Sequence, residues 1–164
     1  MRMRQTKIYV FDVDSEVLTR CEEMARLNGV EKSVVAGGFC DSKTLQALPL
    51  QRRALILSDC EGYEKELLSE EIVPLLAQHD LLIEIHDFVD LEISDTIRRR
   101  FEKSHYIEVI PSIDDIKKAQ SYSYPEIEKF KPGLKRILLA EHRPTAMEWF
   151  YLKAKSQHPQ TQQM

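Results

Sequence analysis

Short apolar runs, each closing on a polar residue and followed by apolar positions three and four apart, recur along the chain. "KIYVFD" (7–12) is β-rich and stops at an acid. Val17, Leu18, Cys21, Met24 and Ala25 then follow helical spacing, with Asp14 or Ser15 to cap the helix and Gly29 to end it. "EKSVVAGGF" (31–39) predicts a second strand, "DSKTLQAL" (41–48) a short helix or turn, and "RALILSD" (53–59) a third strand. Leu68, Ile72, Leu75 and Leu76 predict a helix kinked at Pro74. "DLLIEIH" (80–86) is the fourth strand. Ile93, Ile97 and Phe101 mark the next helix and "YIEVIPS" (106–112) the fifth strand. Residues 113–130 have no clear period and suggest an insertion or lid. A helix within 131–144 and a closing strand at 146–154 complete the pattern, with Trp149 and Phe150 expected in the core.

Strands alternating with helices predict an α/β domain with a largely parallel sheet and helices on both faces, spanning 1–154 before a polar tail at 155–164. Ligands of such sheets bind at the carboxyl ends of the strands. Asp12, Asp59, Glu61 and His86 all fall there.

Composition narrows the classes. The 164 residues are 43% hydrophobic with net charge −4, enough for a core and without the basic excess of a nucleic-acid surface. The basic run Arg98-Arg99-Arg100 is expected on a solvated helix face. Cys21, Cys40 and Cys60 are odd in number and widely spaced, which points to a reducing cytoplasm rather than a disulfide framework. No apolar run reaches membrane-spanning length.

Charge at the end of a buried strand is costly to desolvate, so "LSDCEGYEKELL" (57–68), with Asp59, Glu61 and Glu64 around Gly62, asks for an explanation. Acids in such loops often cap the next helix, and Asp14 and Asp41 fit that role. "VFDVDSEV" resembles a haloacid-dehalogenase-type phosphatase, but Glu16 stands where that family wants Thr or Val. "LILSD" resembles a response-regulator receiver with Asp59 as phospho-acceptor, but His86 stands where the receiver has its lysine. If their two strands are neighbours, Asp59, Glu61, Glu84 and His86 would suit an oxygen-rich site with one imidazole for Mg, Mn or Fe, and Glu84 and His86 share a strand face.

Over residues 7–154 the chain resembles class I S-adenosylmethionine-dependent methyltransferases. "KIYVFDVDSEVLTRCEEMARLNGV" is similar to their second strand and helix. "DCEGYE", with Asp59, Glu61, Gly62 and Glu64, and "EIH", with Glu84 and His86, narrow the resemblance to the FkbM branch. "LAEHRPTAMEWFYLKA" resembles the closing helix and strand. The resemblance implies a Rossmann-like sheet, mostly parallel with an antiparallel C-terminal strand, and S-adenosylmethionine as cofactor. It implies Asp12 as acceptor for the two ribose hydroxyls, Gly38 and Phe39 against the adenine, and Asp59 close to the cofactor. The family's first strand and Gly-x-Gly loop have no counterpart, and that strand would stand between those ending at Asp12 and Asp59. The expectation is therefore a fragment, a strand supplied by another segment or a second copy, or a relative that no longer binds cofactor.

The implied reaction is methyl transfer to a small-molecule hydroxyl or sugar. His86 is the candidate base, since imidazole titrates near neutrality, and Asp59 the second. Glu61, Glu64 and Glu84 would hold substrate or a metal, and residues 113–130, with Tyr122, Tyr124 and Phe130, would cover the substrate. The competing class is a non-catalytic α/β binding domain.

Overall fold

The computed structural model describes residues 6–50, 53–141, 143 and 145–155. Of the expected tail, 156–164 lie outside the described residues. The chain divides into two compact units, residues 1–49 and 50–164.

The first unit holds β1 (Ile8–Phe11), α1 (Ser15–Leu27), a 3-10 turn (Glu31–Ser33), β2 (Val34–Gly37) and α2 (Ser42–Ala47). β1 and β2 pair in parallel, from Ile8↔Val34 to Phe11↔Gly37. Both expected caps form: the Asp14 carboxylate accepts from the Glu16 N–H, and Asp41 from the Thr44 N–H at 2.7 Å. Gly29 ends α1 with φ +67°. Gly37 is dictated by packing, because a Cβ there would stand 2.6 Å from the Phe11 ring. The apolar stripe of α1 is only partly covered. Ala25 is buried, but Met24 is 63% exposed.

The second unit runs β3 (Leu55–Ser58), α3 (Glu64–Leu67), α4 (Val73–Leu76), β4 (Asp80–Ile85), α5 (Ile93–Phe101), β5 (His105–Pro111), α6 (Asp115–Ser121), α7 (Pro132–Leu139) and β6 (Glu148–Ala154). Its four strands lie in the order β3-β4-β6-β5. β3 and β4 are parallel, while β6 is antiparallel to both β4 and β5. β3, β4 and β5 therefore point one way and the C-terminal strand points back between two of them. The fold is mixed α/β with a mostly parallel sheet and helices around it. β1 and β3 belong to separate sheets, each strand at an edge.

Leu81, Ile83 and Ile85 alternate along β4, and Ile93, Ile97 and Phe101 form one stripe of α5; all six are buried. Each such side chain contributes about 1.5–3 kcal/mol of transfer free energy. Phe150 of β6 is also fully buried, as expected, whereas Trp149 is half-buried. At the amino end of β4, the Asp80 carboxylate accepts from Arg53 Nε at 2.9 Å, Arg53 Nη2 at 2.6 Å and the Ala154 N–H at 2.9 Å. One acid thus ties β4 to the approach of β3 and to the end of β6.

Three local expectations change. The helix after β3 is two short helices, and Pro74 opens the second rather than kinking one long helix, because a missing N–H costs nothing in a first turn. Arg98 and Arg99 are exposed, but Arg100 is half-buried: its Nη1 donates to the carbonyls of Lys65 and Leu68, closing off α3. Within 113–130, α6 is a regular helix capped by Asp114, and Lys118 is buried in an ion pair with Glu141.

Candidate functional site

Register brings the acids to His86. β3 pairs with β4 from Leu55↔Asp80 to Ser58↔Ile83. The same offset continued one residue past the ladder sets Asp59 level with Glu84, and the turn that follows brings Glu61 Oε2 to 3.5 Å from His86 Nε2. Glu84 and His86 are two apart, so they share a face. The turn leaving β3 has two successive residues of positive φ, Glu61 at +55° and Gly62 at +104°. It reverses the chain within a few residues and delivers Glu64, the first residue of α3, back toward the strand end.

Glu64 is fully buried, and its Oε1 lies 2.6 Å from His86 Nδ1 and accepts from the Gly62 N–H at 3.3 Å. Its Oε2 is buried without a hydrogen-bond partner among the described residues. The His86 side chain is 2% exposed, and its Nε2 faces Asp59 Oδ1 at 3.6 Å and Glu61 Oε2 at 3.5 Å. Both distances exceed a normal hydrogen bond. Nδ1–H donates to the Glu64 carboxylate, which fixes the ring's orientation and leaves Nε2 facing Asp59 and Glu61.

Glu84 is buried and pairs with Arg143, whose Nε also donates to Glu141 at 2.5 Å. Ligand atoms of Asp59, Glu84 and His86 all lie within 4.8 Å of one another, close enough to share one metal ion. The neighbouring Cys60 thiol is pushed up to about 12, first by burial, with the charge of Glu64 adding to it. It stays a thiol and offers neither nucleophile nor thiolate ligand at neutral pH.

The loop after β4 is held firmly. Asp87 Oδ1 accepts from the Ser94 N–H at 2.8 Å, and Lys65 of α3 pairs with Asp90. The Lys65 ammonium holds the Asp90 carboxyl below the usual carboxylate range. Phe88 meets the His86 ring edge-on, centroids 5.7 Å apart. It also lines a cleft of about 520 Å³ with Ile85, Asp87, Leu91, Pro111 and Met147 among its walls. Phe88 therefore links the buried imidazole to a partly apolar hollow that His86 itself does not line.

The second unit thus brings together Asp59, Glu61, Glu64, Glu84 and His86. In the first unit, Asp12 stands half-buried just past β1, its Oδ1 accepting from the Asp14 N–H at 2.8 Å. A Cβ on Gly38 would meet nothing within 4 Å, and Phe39 is 57% exposed. Arg143 carried no local signal, since it reaches Glu84 across 59 positions. Phe88 and Cys60 likewise matter only through the fold.

No protein-family model matches the chain, and no curated protein matches it. Among solved structures it is similar to one titled "Crystal structure of MccD protein", with a TM-score of 0.48 and 13% sequence identity, over 92% of this chain and 80% of that one. No helix of the described residues is long and apolar enough to cross a membrane.

Proposed function

We propose that residues 1–154 are a methyltransferase-like α/β domain of the S-adenosylmethionine-dependent class I type, of the FkbM-like branch, acting on a hydroxyl of a small molecule or sugar in the cytoplasm. One observation supports this reading above others: the C-terminal strand β6 runs antiparallel within an otherwise parallel set. An antiparallel closing strand is what the resemblance over 7–154 entails.

On this reading Asp12, Gly38 and Phe39 of the first unit hold the nucleoside of the cofactor. The open space over Gly38 and the exposed Phe39 ring suit an adenine, and Asp12 suits a ribose diol. The Asx turn from Asp12 to the Asp14 N–H engages one carboxylate oxygen, which leaves the other for the hydroxyls. A partner segment or a second copy pairing with the free edge of β3 would complete the sheet.

The cofactor, when bound, supplies a methyl group on a sulfonium. The chain's own residues position the acceptor and handle its proton. Glu64 fixes the His86 ring, Nε2 takes the proton of a hydroxyl set between Asp59 and Glu61, and the cleft beside Phe88 takes the acceptor's carbon skeleton. A receiver-like role for Asp59 has less support, because an imidazole rather than a lysine ammonium faces it.

Isothermal titration with S-adenosylhomocysteine in metal-free buffer tests the proposal. Binding that weakens at least tenfold in Asp12→Ala is the expected result. No heat at millimolar ligand from a folded, monodisperse sample would leave the non-catalytic binding domain instead.

A further inference from the structure

We infer that the open face of the second unit's sheet is the interface of a homodimer, in which two copies of the chain pack face to face with their strands running in opposite directions. The dimer does not depend on the methyl-donor reading.

Side chains alternate across a strand, so the registers sort the second unit's strands into two faces. Leu81, Ile83, Phe150, Leu152 and His105 share one face, and all are buried. The other face is just as apolar but lies largely open. Leu57, Leu82 and Tyr151 stand in one row across β3, β4 and β6, and Trp149 and Ile110 are neighbours in the next row toward the carboxyl end of β4. Leu55 and Leu57 are each 63% exposed, Tyr106 is 65% and Ile110 42%, while Leu82, Trp149 and Tyr151 are half-buried. Apolar residues scattered singly over a surface need no explanation, but neighbours spread across all four strands of a sheet do. A sheet with parallel strands is usually covered on both sides, and tyrosine and tryptophan are the residues that interfaces favour.

Charge and size point to a second copy as the occupant. Because β6 is antiparallel to β4, exposed Lys153 stands at the end of the face where β4 begins. Lys155 follows it on the same side, with Nζ 5.2 Å from the centre of the Tyr106 ring. Asp59 and Glu61 stand at the opposite end, where β3 finishes, with side chains 44% and 82% exposed. The face therefore has a basic end, an apolar middle and an acidic end, with Glu108 out on the edge strand β5. Two such faces are self-complementary about a two-fold axis lying between them and across the strands. Each basic end then meets an acidic end, and the same patch serves both copies. Aligned sheets pack in this way, with strands within about 30° of one another. Strands about 4.8 Å apart, with β5 and β6 each seven residues long at about 3.3 Å per residue, give a plane of roughly 400 Å². Side-chain relief brings its accessible area toward the roughly 800 Å² per partner of a standard interface. That size suits a dimer of micromolar affinity rather than an obligate one.

Trp149 is the chain's single tryptophan, so its emission reports on this face. Sedimentation velocity and tryptophan fluorescence of the full chain are followed from low to high micromolar concentration. The expected result is a monomer–dimer equilibrium in which Trp149 emission moves to shorter wavelength and acrylamide quenches it less as dimer forms. Leu57→Glu and Tyr106→Glu, both at exposed positions outside the core, each weaken the dimer at least tenfold, with circular dichroism unchanged. Lys153→Glu weakens it several-fold, and so does added salt, which screens the contacts between the two ends. A chain that stays monomeric over the whole range overturns the inference. So does a dimer that keeps its affinity in Leu57→Glu and Tyr106→Glu and leaves Trp149 emission unchanged, since its contact would then lie elsewhere, as at the free edge of β3.

Discussion

Severing the contact between Glu64 and His86 gives the sharpest test of how the candidate site is built. The two groups lie 2.6 Å apart, and each side chain is at most 2% exposed. Solvent therefore cannot substitute for a lost partner without opening the fold. A hydrogen bond to a charged group contributes about 1.5–3 kcal/mol net, and removing one member of a buried pair costs about 3–5 kcal/mol. Glu64→Gln keeps the shape and an acceptor oxygen but removes the charge, so a loss of about 1–2 kcal/mol is expected. Glu64→Ala strands Nδ1–H and leaves a void, for about 3–5 kcal/mol. His86→Gln is the other single variant. Combining it with Glu64→Gln closes a double-mutant cycle, for which a coupling of about 1.5–3 kcal/mol is expected. Urea unfolding followed by circular dichroism measures all four corners. In heat, each kcal/mol corresponds to about 2–4 °C for a chain of this size. Additivity within about 0.5 kcal/mol would refute the reasoning, since the contact would then do nothing that the two side chains do not do separately.

Three further outcomes follow from the same geometry. The Asp80 carboxyl is held below the usual range chiefly by its hydrogen bonds to Arg53, so the folded chain binds that proton more weakly than the unfolded chain. Its contribution is complete above the unfolded value of about 3.9 and fades as pH falls through the folded value; Asp80→Asn should cost about 1 kcal/mol at pH 7 and close on the parent in urea melts near pH 3. Gly62→Ala would strain a φ of +104° and press its Cβ to 2.8 Å from a Val89 methyl, so a loss of about 1–3 kcal/mol in the same unfolding assay is expected. The Cys60 thiol, raised to about 12, should resist iodoacetamide at pH 8 in the native chain and react once urea unfolds it, as read by peptide mass spectrometry.

Much of this architecture is written in local pattern. The i, i+4, i+8 spacing of Ile93, Ile97 and Phe101 marks α5 because a helix can bury only one stripe, and all three are fully buried. Asp14 and Asp41 are legible as caps because the bond each accepts lies two or three residues away. "DCEGYE" and "EIH" stand out as strand-end chemistry because acids there conflict with the apolar run before them. What was not legible depends on reach rather than on neighbours. Arg143 finds Glu84 across the fold, and Arg100 closes the end of α3 from another helix. A guanidinium carries no sign in sequence of which carbonyl or carboxylate it will meet. The helix α6 escaped notice for a related reason: Lys118 is buried there through its pair with Glu141, so its amphipathic signal is polar on both sides. The placement of β1 and β3 in separate sheets was not legible either, because local pattern marks a strand without saying which strand it pairs with.

Methyl-donor binding by this chain requires that the loops after β1 and β2 form a nucleoside site. Amide chemical-shift mapping of the ¹⁵N-labelled chain during titration with S-adenosylhomocysteine tests it residue by residue. Saturable shifts concentrated at Asp12, Val13, Gly38 and Phe39 are expected. Shifts scattered without saturation, or centred away from those loops, would contradict it.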